Sequence, residues 1–141
     1  MVKIYNGEGI ILGRLAGRAA KDLLLGEEVI VLNCEKVMIS GRKTQTTAVA
    51  KNRRERSGHP DRRVTISRLP ERLVRRAIRG MIPWKTARGK EAFRRVTCFR
   101  LVPEQFQGKE MIVLEDAKAE NLPTLKRITM GELSKNLGWK G

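Results

Sequence analysis

Aromatic residues are scarce in this chain, and their scarcity narrows its possible functions. Only six of its 141 residues are Phe, Trp or Tyr. All six lie in or near apolar runs, which argues against a platform on which single-stranded bases stack. The core must therefore be aliphatic. Because 40% of the residues are hydrophobic, the chain has too much apolar surface for a disordered protein, and its length fits one domain over residues 1–141.

Cysteine and histidine are also rare, which excludes a zinc site. Cys34 and Cys98 lie inside apolar, strand-like runs, a position typical of small buried thiols in a reducing cytosol. There is no Cys-x-x-Cys, and His59 is the one histidine. No apolar run approaches the ~20 residues that cross a bilayer, so we expect no membrane partner and no secretory signal.

Glycine-rich nucleotide motifs are missing as well. Ser40–Thr44 superficially resembles a phosphate-binding loop, but Arg42 separates the glycine from the lysine and Lys36 stands where the first glycine belongs. Gly7-Glu-Gly9 lacks the third glycine of a dinucleotide fingerprint, since Leu12 occupies its place. We therefore expect no cofactor and no small-molecule substrate.

No catalytic arrangement emerges from the remaining polar residues. The acidic pairs Glu27–Glu28 and Glu115–Asp116 lie at the ends of predicted elements, where solvated turn charges are common. His59 sits in a basic segment beside Pro60, which favours exposure or a contact with phosphate or base over a role as general base. The chain is predicted not to be an enzyme.

Acidic residues are depleted in one stretch, and there the positive charge accumulates. Residues 42–100 contain 19 Lys or Arg against four acids, a surplus of +15, which equals the net charge of the whole chain. The other residues hold 11 bases and 11 acids. A basic block on an otherwise neutral domain indicates a surface that binds a polyanion.

The first third of the chain predicts a βαβ unit with a parallel sheet. Val2–Asn6 has the pattern of a short strand, and Val29–Asn33 that of a strand buried on both faces. Between them, apolar residues recur at helical spacing from Leu12 to Leu24, and Gly26 follows as a helix cap. The cations Arg14, Arg18 and Lys21, together with Asp22, are predicted to occupy the opposite, exposed face of this helix.

The basic middle contains one clear amphipathic helix. Leu69 to Met81 carries an apolar stripe opposite the stripe Arg72, Arg75, Arg76 and Arg79, and it begins near Pro70. Four cations at this spacing repel one another by about 0.2–0.5 kcal/mol per adjacent pair, a cost that a polyanion would remove. Before it, residues 42–56 form a weakly amphipathic, possible helix and residues 57–63 a loop.

The remaining elements are shorter. A three-residue apolar run at 37–39 predicts a strand, residues 87–95 a helix, and residues 97–102 and 111–114 two further strands. Thr129 and Glu132 match a capping box that opens a last helix, which should end at Leu137 before Gly138.

Nucleic acid is the polyanion that this pattern fits best. Arginines outnumber lysines in the basic block, and a guanidinium can hold a phosphate through two hydrogen bonds. The chain has no helix-turn-helix, zinc finger or zipper for reading DNA bases, so phosphate contacts to a folded RNA are favoured. A regulatory RNA-binding role is an alternative at this point. A second alternative is an enzyme that acts on nucleotides, which would need a phosphate loop that both candidate loops lack.

Three blocks resemble one known family. They are Leu12-Gly-Arg-Leu-Ala16, the run from Val31 to Gly41, and Arg79-Gly-Met-Ile-Pro-Trp-Lys-Thr86 followed by Arg88-Gly-Lys90. On these residues the chain resembles the ribosomal protein L13 family (universal uL13) in its shorter archaeal-type form. The resemblance implies a three-layer α/β/α fold with a four-stranded parallel sheet, in which the basic segment 42–63 is a partly extended arm.

The resemblance also implies a function. The protein would be a cytoplasmic, structural component of the large ribosomal subunit that binds large-subunit rRNA, contacts neighbouring subunit proteins and supports assembly. The resemblance places a main contact at 79–90 and an arm ordered by RNA at 42–63. Together, charge pattern and resemblance predict the following rRNA-binding residues: Arg42, Lys43, Lys51, Arg53, Arg54, Arg56, His59, Arg62, Arg63, Arg72, Arg75, Arg76, Arg79, Lys85, Thr86, Arg88, Lys90, Arg94 and Arg95.

Overall fold

A computed structural model describes residues 1–56, 61 and 65–141. Its strands are β1 (Val2–Asn6), β2 (Glu28–Leu32), β3 (Met38–Ser40), β4 (Val96–Cys98) and β5 (Arg127–Thr129). Its α-helices are α1 (Leu12–Leu24), α2 (Lys43–Glu55), α3 (Pro70–Gly80), α4 (Ala87–Arg94) and α5 (Met130–Asn136). The chain is thus an α/β protein, as the sequence predicts.

A parallel sheet in the order β1-β2-β4 confirms the predicted βαβ unit. β2 lies in the centre, with Val29 and Val31 fully buried and paired with Val96 and Cys98 of β4. On its other edge, β2 pairs with β1 over five residues, from Val2↔Glu28 to Asn6↔Leu32. A central strand of a parallel sheet is covered on both faces, which explains the continuous apolar run in the sequence.

The prediction of four parallel strands is wrong, because the sheet in the described part of the chain has three. The segment 111–114 reaches the free edge of β1 but makes a single parallel bridge there, between Tyr5 and Ile112. Ile112 donates to Ile4 O at 2.7 Å and accepts from Asn6 N at 3.1 Å. The chain then turns into a 3₁₀ turn at Glu115–Ala117, so no further pair can form.

A small antiparallel pair, β3 with β5, stands apart from the parallel sheet. The sequence predicts β3, and the pairing Ile39↔Ile128 confirms it. β5 is not predicted, because three residues between polar neighbours are too few to show a strand period. The predicted strand over residues 97–102 is shorter than expected: it ends at Cys98, and Pro103 lacks the N–H that a ladder needs.

Packing of α1 against the sheet and against α3 and α4 forms the main core. α1 contributes its predicted apolar stripe, including Leu15, Ala16 and Leu23, all fully buried. α3 contributes Val74 and Ile78, also fully buried. Each fully buried Leu, Val or Ile side chain contributes about 1.5–3 kcal/mol to folding. The three-layer arrangement of helices around the sheet stays a prediction.

The basic segment is helical over most of its described length, which confirms the helix that the sequence predicts at 42–56. The partly extended arm implied by the resemblance is wrong for residues 43–55. Eight of the 13 residues of α2 are Lys, Arg, Gln, Glu or Ala, which favour a helix, and Thr46 N closes its first turn on Arg42 O at 2.9 Å. None of its side chains is buried. The predicted loop at 57–63 lies outside the described residues, except for Asp61, which is in a 3₁₀ conformation.

Asp22 departs from the pattern of α1. The sequence predicts it on the exposed face, whereas the structure buries it to 4% exposure beside β1. Lys3 Nζ donates to Asp22 Oδ1 at 2.8 Å and the Tyr5 hydroxyl donates to Asp22 Oδ2. Burial would raise the pKa of Asp22, but these two hydrogen bonds and the charges of Lys3 and Arg18 lower it overall. Burial and the Asp22 hydrogen bond raise the pKa of Tyr5 to about 12.

Replacing Asp22 by Asn should lower the free energy of unfolding at pH 7 by about 1.5–3 kcal/mol, since two hydrogen bonds to a buried charge are weakened. The folded-state pKa of Asp22 lies below its ordinary value of 3.8. The stability that ionised Asp22 contributes is therefore present above that value and is lost as pH falls through the lower one. Urea unfolding should show the gap between wild type and Asp22→Asn at pH 7 and a narrower gap below pH ~4. A gap that stays constant with pH would contradict this assignment.

Candidate nucleic-acid interface

The four arginines of α3 share a face, as predicted, but they divide into two kinds. Arg72 and Arg76 are exposed, and within the described residues neither makes an ion pair or a hydrogen bond. Arg75 and Arg79 are half-buried. Glu71, the acid of this helix, lies 3.7 Å from Arg100 Nε and so does not neutralise the face. Two cations are thus free for a partner and two are held by the protein.

Aromatic rings hold the half-buried pair. The guanidinium carbon of Arg75 lies 4.6 Å from the centroid of the Phe93 ring, and that of Arg79 lies 5.3 Å from the Trp84 centroid. The two rings meet edge to face, with centroids 5.1 Å apart. Such cation–π contacts restrict the two arginine side chains in advance, so that less side-chain entropy is lost when they bind phosphate.

The aromatic pair is the part of the site that the sequence does not reveal. Trp84 was expected in an apolar environment, yet it is 39% exposed and supports an arginine instead of the core. Its position between Pro83 and Lys85, outside any apolar run of helical period, is the one signal that could have indicated this role.

A tight turn carries Trp84 from α3 to α4. Thr86 caps α4: its Oγ1 accepts from Gly89 N at 3.1 Å and donates to Pro83 O at 2.8 Å. Gly89 packs directly on the same carbonyl, since a Cβ at this position would lie 2.0 Å from Pro83 O. Thr86, predicted to contact RNA, therefore already uses its hydroxyl to hold the turn.

The cations of α4 also divide by role. Lys85, Lys90 and Arg94 are exposed and make no ion pair in the described part of the chain. Arg88 Nη2 donates to Leu24 O at 3.2 Å, and Arg95 Nη2 donates to Leu23 O at 3.1 Å. These two guanidinium groups bond to carbonyls at the end of α1, of which that of Leu23 also accepts from Gly26 N at 3.2 Å. A cation at this end also interacts favourably with the helix dipole.

Arg95 has a further partner in Glu91, whose carboxylate lies 3.5 Å away. Its guanidinium is half-buried against α1, whereas that of Arg88 stays exposed. Arg95 is consequently more a structural residue than a free phosphate ligand.

α2 is the third basic element, and its cations also divide into exposed side chains and side chains bonded to the protein. Lys51, Arg53 and Arg56 are exposed. Lys43 pairs with Glu132 at 3.3 Å, and Arg54 Nη1 donates to Ile66 O at 2.8 Å. The predicted contacts His59, Arg62 and Arg63 lie outside the described residues.

A cavity of about 630 Å³ brings two of the basic elements together. Arg42 and Arg53 from the α2 region and Arg76 from α3 line it, around apolar side chains that include Ile39 and Leu73. The stretches 42–56 and 72–79, separate in sequence, therefore face a common space.

The described residues show no alternative chemistry. They contain no group of three or more His, Cys, Asp or Glu side chains that could hold a metal ion. No described helix is long and apolar enough to cross a membrane. Cys34 is buried and its pKa is raised by the neighbouring Cys98 thiol and by burial, which makes it a poor nucleophile. Cys98 is half-buried, so the expectation of two buried thiols is confirmed for Cys34 alone.

Comparison with known proteins decides the family. The family model described as "Ribosomal protein L13" matches residues 1–105. The chain belongs to the ribosomal protein L13 family. Proteins of this family are structural components of the ribosome and not enzymes.

Archaeal members of the L13 family match almost the whole chain. The large ribosomal subunit protein uL13 of Archaeoglobus fulgidus is 41% identical over 139 residues, covering 98% of this chain and 88% of that protein. The proteins of the same name from Methanosphaera stadtmanae and Methanococcoides burtonii are each 38% identical, covering 99% and 97% of this chain and 99% and 98% of theirs. The archaeal-type resemblance is confirmed.

Replacing Gly89 by Ala should destabilise the protein by about 1–3 kcal/mol, because the new methyl group overlaps the Pro83 carbonyl. Gly80, at the end of α3, provides the matched control. A Cβ at that position would meet no atom within 4 Å, so Gly80→Ala should be neutral or stabilising by up to about 1 kcal/mol. Urea unfolding measures the free energy of unfolding of both variants. Equal values would show that the contact with the Pro83 carbonyl does not limit the size of residue 89.

Proposed function

We propose that this protein is a structural constituent of the large ribosomal subunit in the cytoplasm, which binds large-subunit rRNA through the basic surface of α2, α3 and α4. It supports assembly of the subunit and catalyses no reaction. The relatives are named as large ribosomal subunit proteins, and their similarity extends over nearly the full chain. Its further partners are neighbouring proteins of that subunit.

The observation that carries the RNA contact is the division of the α3 arginines. Arg72 and Arg76 are exposed without a neutralising acid, beside Arg75 and Arg79, whose guanidinium groups lie over aromatic rings. Uncompensated like charges on one helix face destabilise a free protein, and phosphates remove that repulsion. Guanidinium groups can hold phosphate oxygens through bidentate contacts.

Folded RNA suits this surface better than a single strand. Trp84 and Phe93 each have an arginine guanidinium over the ring, so one face of each ring is already used by the protein. Cations on separate elements can instead follow the phosphates of an A-form helix, which proteins recognise by shape and backbone. Arg42 and Arg53 add cations that line the same cavity as Arg76 of α3.

Salt dependence tests the contact. Replacing Arg72, Arg75, Arg76 and Arg79 by Gln should lower the slope of log K against log salt by up to about 3, since each phosphate contact contributes about 0.7–0.9. Filter binding to large-subunit rRNA from 50 to 300 mM salt, as a rough range, measures it. Lys109, Lys126, Lys135 and Lys140 are exposed cations elsewhere, and their replacement by Gln is the charge-matched control. Equal slopes for both variants would refute the role of α3.

Sedimentation tests the cellular role. A tagged copy of the protein should travel with large subunits in a sucrose gradient and stay with them in high-magnesium buffer. It should leave them when salt rises, because the contacts are largely electrostatic. Recovery only in light fractions with other RNA would support a regulatory RNA-binding protein outside the ribosome in place of the proposed function.

A further inference from the structure

A second group of cations lies on α1, outside the basic segment 42–100. Arg14, Arg18 and Lys21 are spaced by four and three residues, so they share one face of the helix, and all three are exposed. In the described part of the chain none of them forms an ion pair. Because bases and acids balance outside 42–100, counting charge along the sequence conceals this cluster.

The acids near these cations are already engaged or few. Asp22 is buried and bound by Lys3 and Tyr5, although Arg18 also feels its charge. Glu115 pairs with Lys118 at 2.5 Å. Asp116 is exposed, and its main-chain oxygen accepts from Arg14 Nη1 at 2.6 Å, which positions that guanidinium. The face therefore keeps a positive surplus.

Two glycines of α1, Gly13 and Gly17, lie beside these cations on the helix. A Cβ at Gly13 would meet nothing within 4 Å, and one at Gly17 would meet only the Met81 sulfur at 3.7 Å. Glycine weakens a helix relative to alanine, and neither position is short of space in the free protein. The missing side chain at Gly13 leaves the helix backbone open to close approach beside Arg14. An open groove of about 570 Å³ runs between this face and residues 113–117.

The α1 face adjoins the interface of α3 and α4. Met81, which follows α3 directly, lies over Gly17. Arg88 of α4 reaches the end of α1 at Leu24. One rigid partner that contacts Arg79 and Lys85 could therefore continue onto α1 without a gap in positive charge.

We propose that Arg14, Arg18 and Lys21, with the open backbone at Gly13, form a second contact for an RNA phosphate backbone, continuous with the interface of α3 and α4. The inference rests on the proposed function and extends the bound RNA onto α1. An acidic protein partner fits less well, because the face offers no aromatic side chain of the kind that anchors protein interfaces.

The test replaces Arg14, Arg18 and Lys21 by Gln in the full chain and measures binding to large-subunit rRNA. At ~0.1 M salt we expect the dissociation constant to rise about 50-fold or more and the salt slope to fall by about 2–3. Replacing Lys109, Lys126 and Lys140 by Gln removes the same charge elsewhere and should change binding much less. Equal losses in the two variants would overturn the α1 contact.

The outcomes separate this inference from the proposed function. If the wild-type protein does not bind rRNA, the proposed function fails. If it binds, and the α3 variant weakens binding while the α1 variant matches its control, only the α1 contact fails. Loss of binding to poly-glutamate with unchanged rRNA binding would assign the face to an acidic protein and likewise overturn the RNA contact.

Gly13→Leu tests the close approach without changing charge. The added side chain points into open space, so circular dichroism and thermal unfolding should show a folded helix at least as stable as wild type. Affinity for rRNA should nevertheless fall about fivefold or more, because a bulky side chain holds the phosphate backbone away from Arg14 and Arg18. Unchanged affinity would overturn the proposed backbone approach at this helix.

Discussion

The contact between Gly89 and the Pro83 carbonyl fixes the geometry on which the basic surface depends. Because Gly89 has no side chain, the first turn of α4 can pack directly on the Pro83 carbonyl. The Thr86 hydroxyl donates a hydrogen bond to the same carbonyl, in the α3–α4 turn. That turn positions Trp84 against Phe93, and the two rings in turn orient Arg79 and Arg75. The close backbone contact at Gly89 thus determines the directions of the Arg75 and Arg79 side chains.

The arginines of α3 and α4 have two different roles. Arg88 and Arg95 bind the last carbonyls of α1 and tie α4 to the core. Arg72 and Arg76 make no such bond among the described residues and remain exposed. A surface formed from both kinds keeps its cations in register, because the structural arginines hold the scaffold that displays the free ones.

Helical periods predicted the helices well, since α1 and α3 bury the apolar stripes that their sequences show. Three features escaped prediction for physical reasons. The burial of Asp22 depends on Lys3 and Tyr5, which come from another element. The edge of the sheet at Ile112 closes after one bridge because the next residues turn away. β5 exists only through its partner β3. Each depends on a contact between distant residues that no local pattern records.

The candidate interface is likewise predicted only in part from the sequence. Composition locates its charge in 42–100, and helical spacing places four arginines on one face of α3. It cannot tell which of these cations are stacked, which are used as helix caps and which are free, because those roles depend on the packing of α3, α4 and α1 against one another.

α2 has a further consequence for how the protein meets a partner. This 13-residue helix buries no side chain and covers a cavity; its described polar ties are few and lie mostly near its ends, such as those of Lys43 to Glu132 and Arg54 to Ile66. A helix of this length is marginal in water when it has no core of its own. Its amide protons should therefore exchange with solvent by local opening far faster than those of α1. Part of the binding free energy is then used to order α2. The affinity is consequently weaker, and more sensitive to temperature, than the number of its cations alone would indicate.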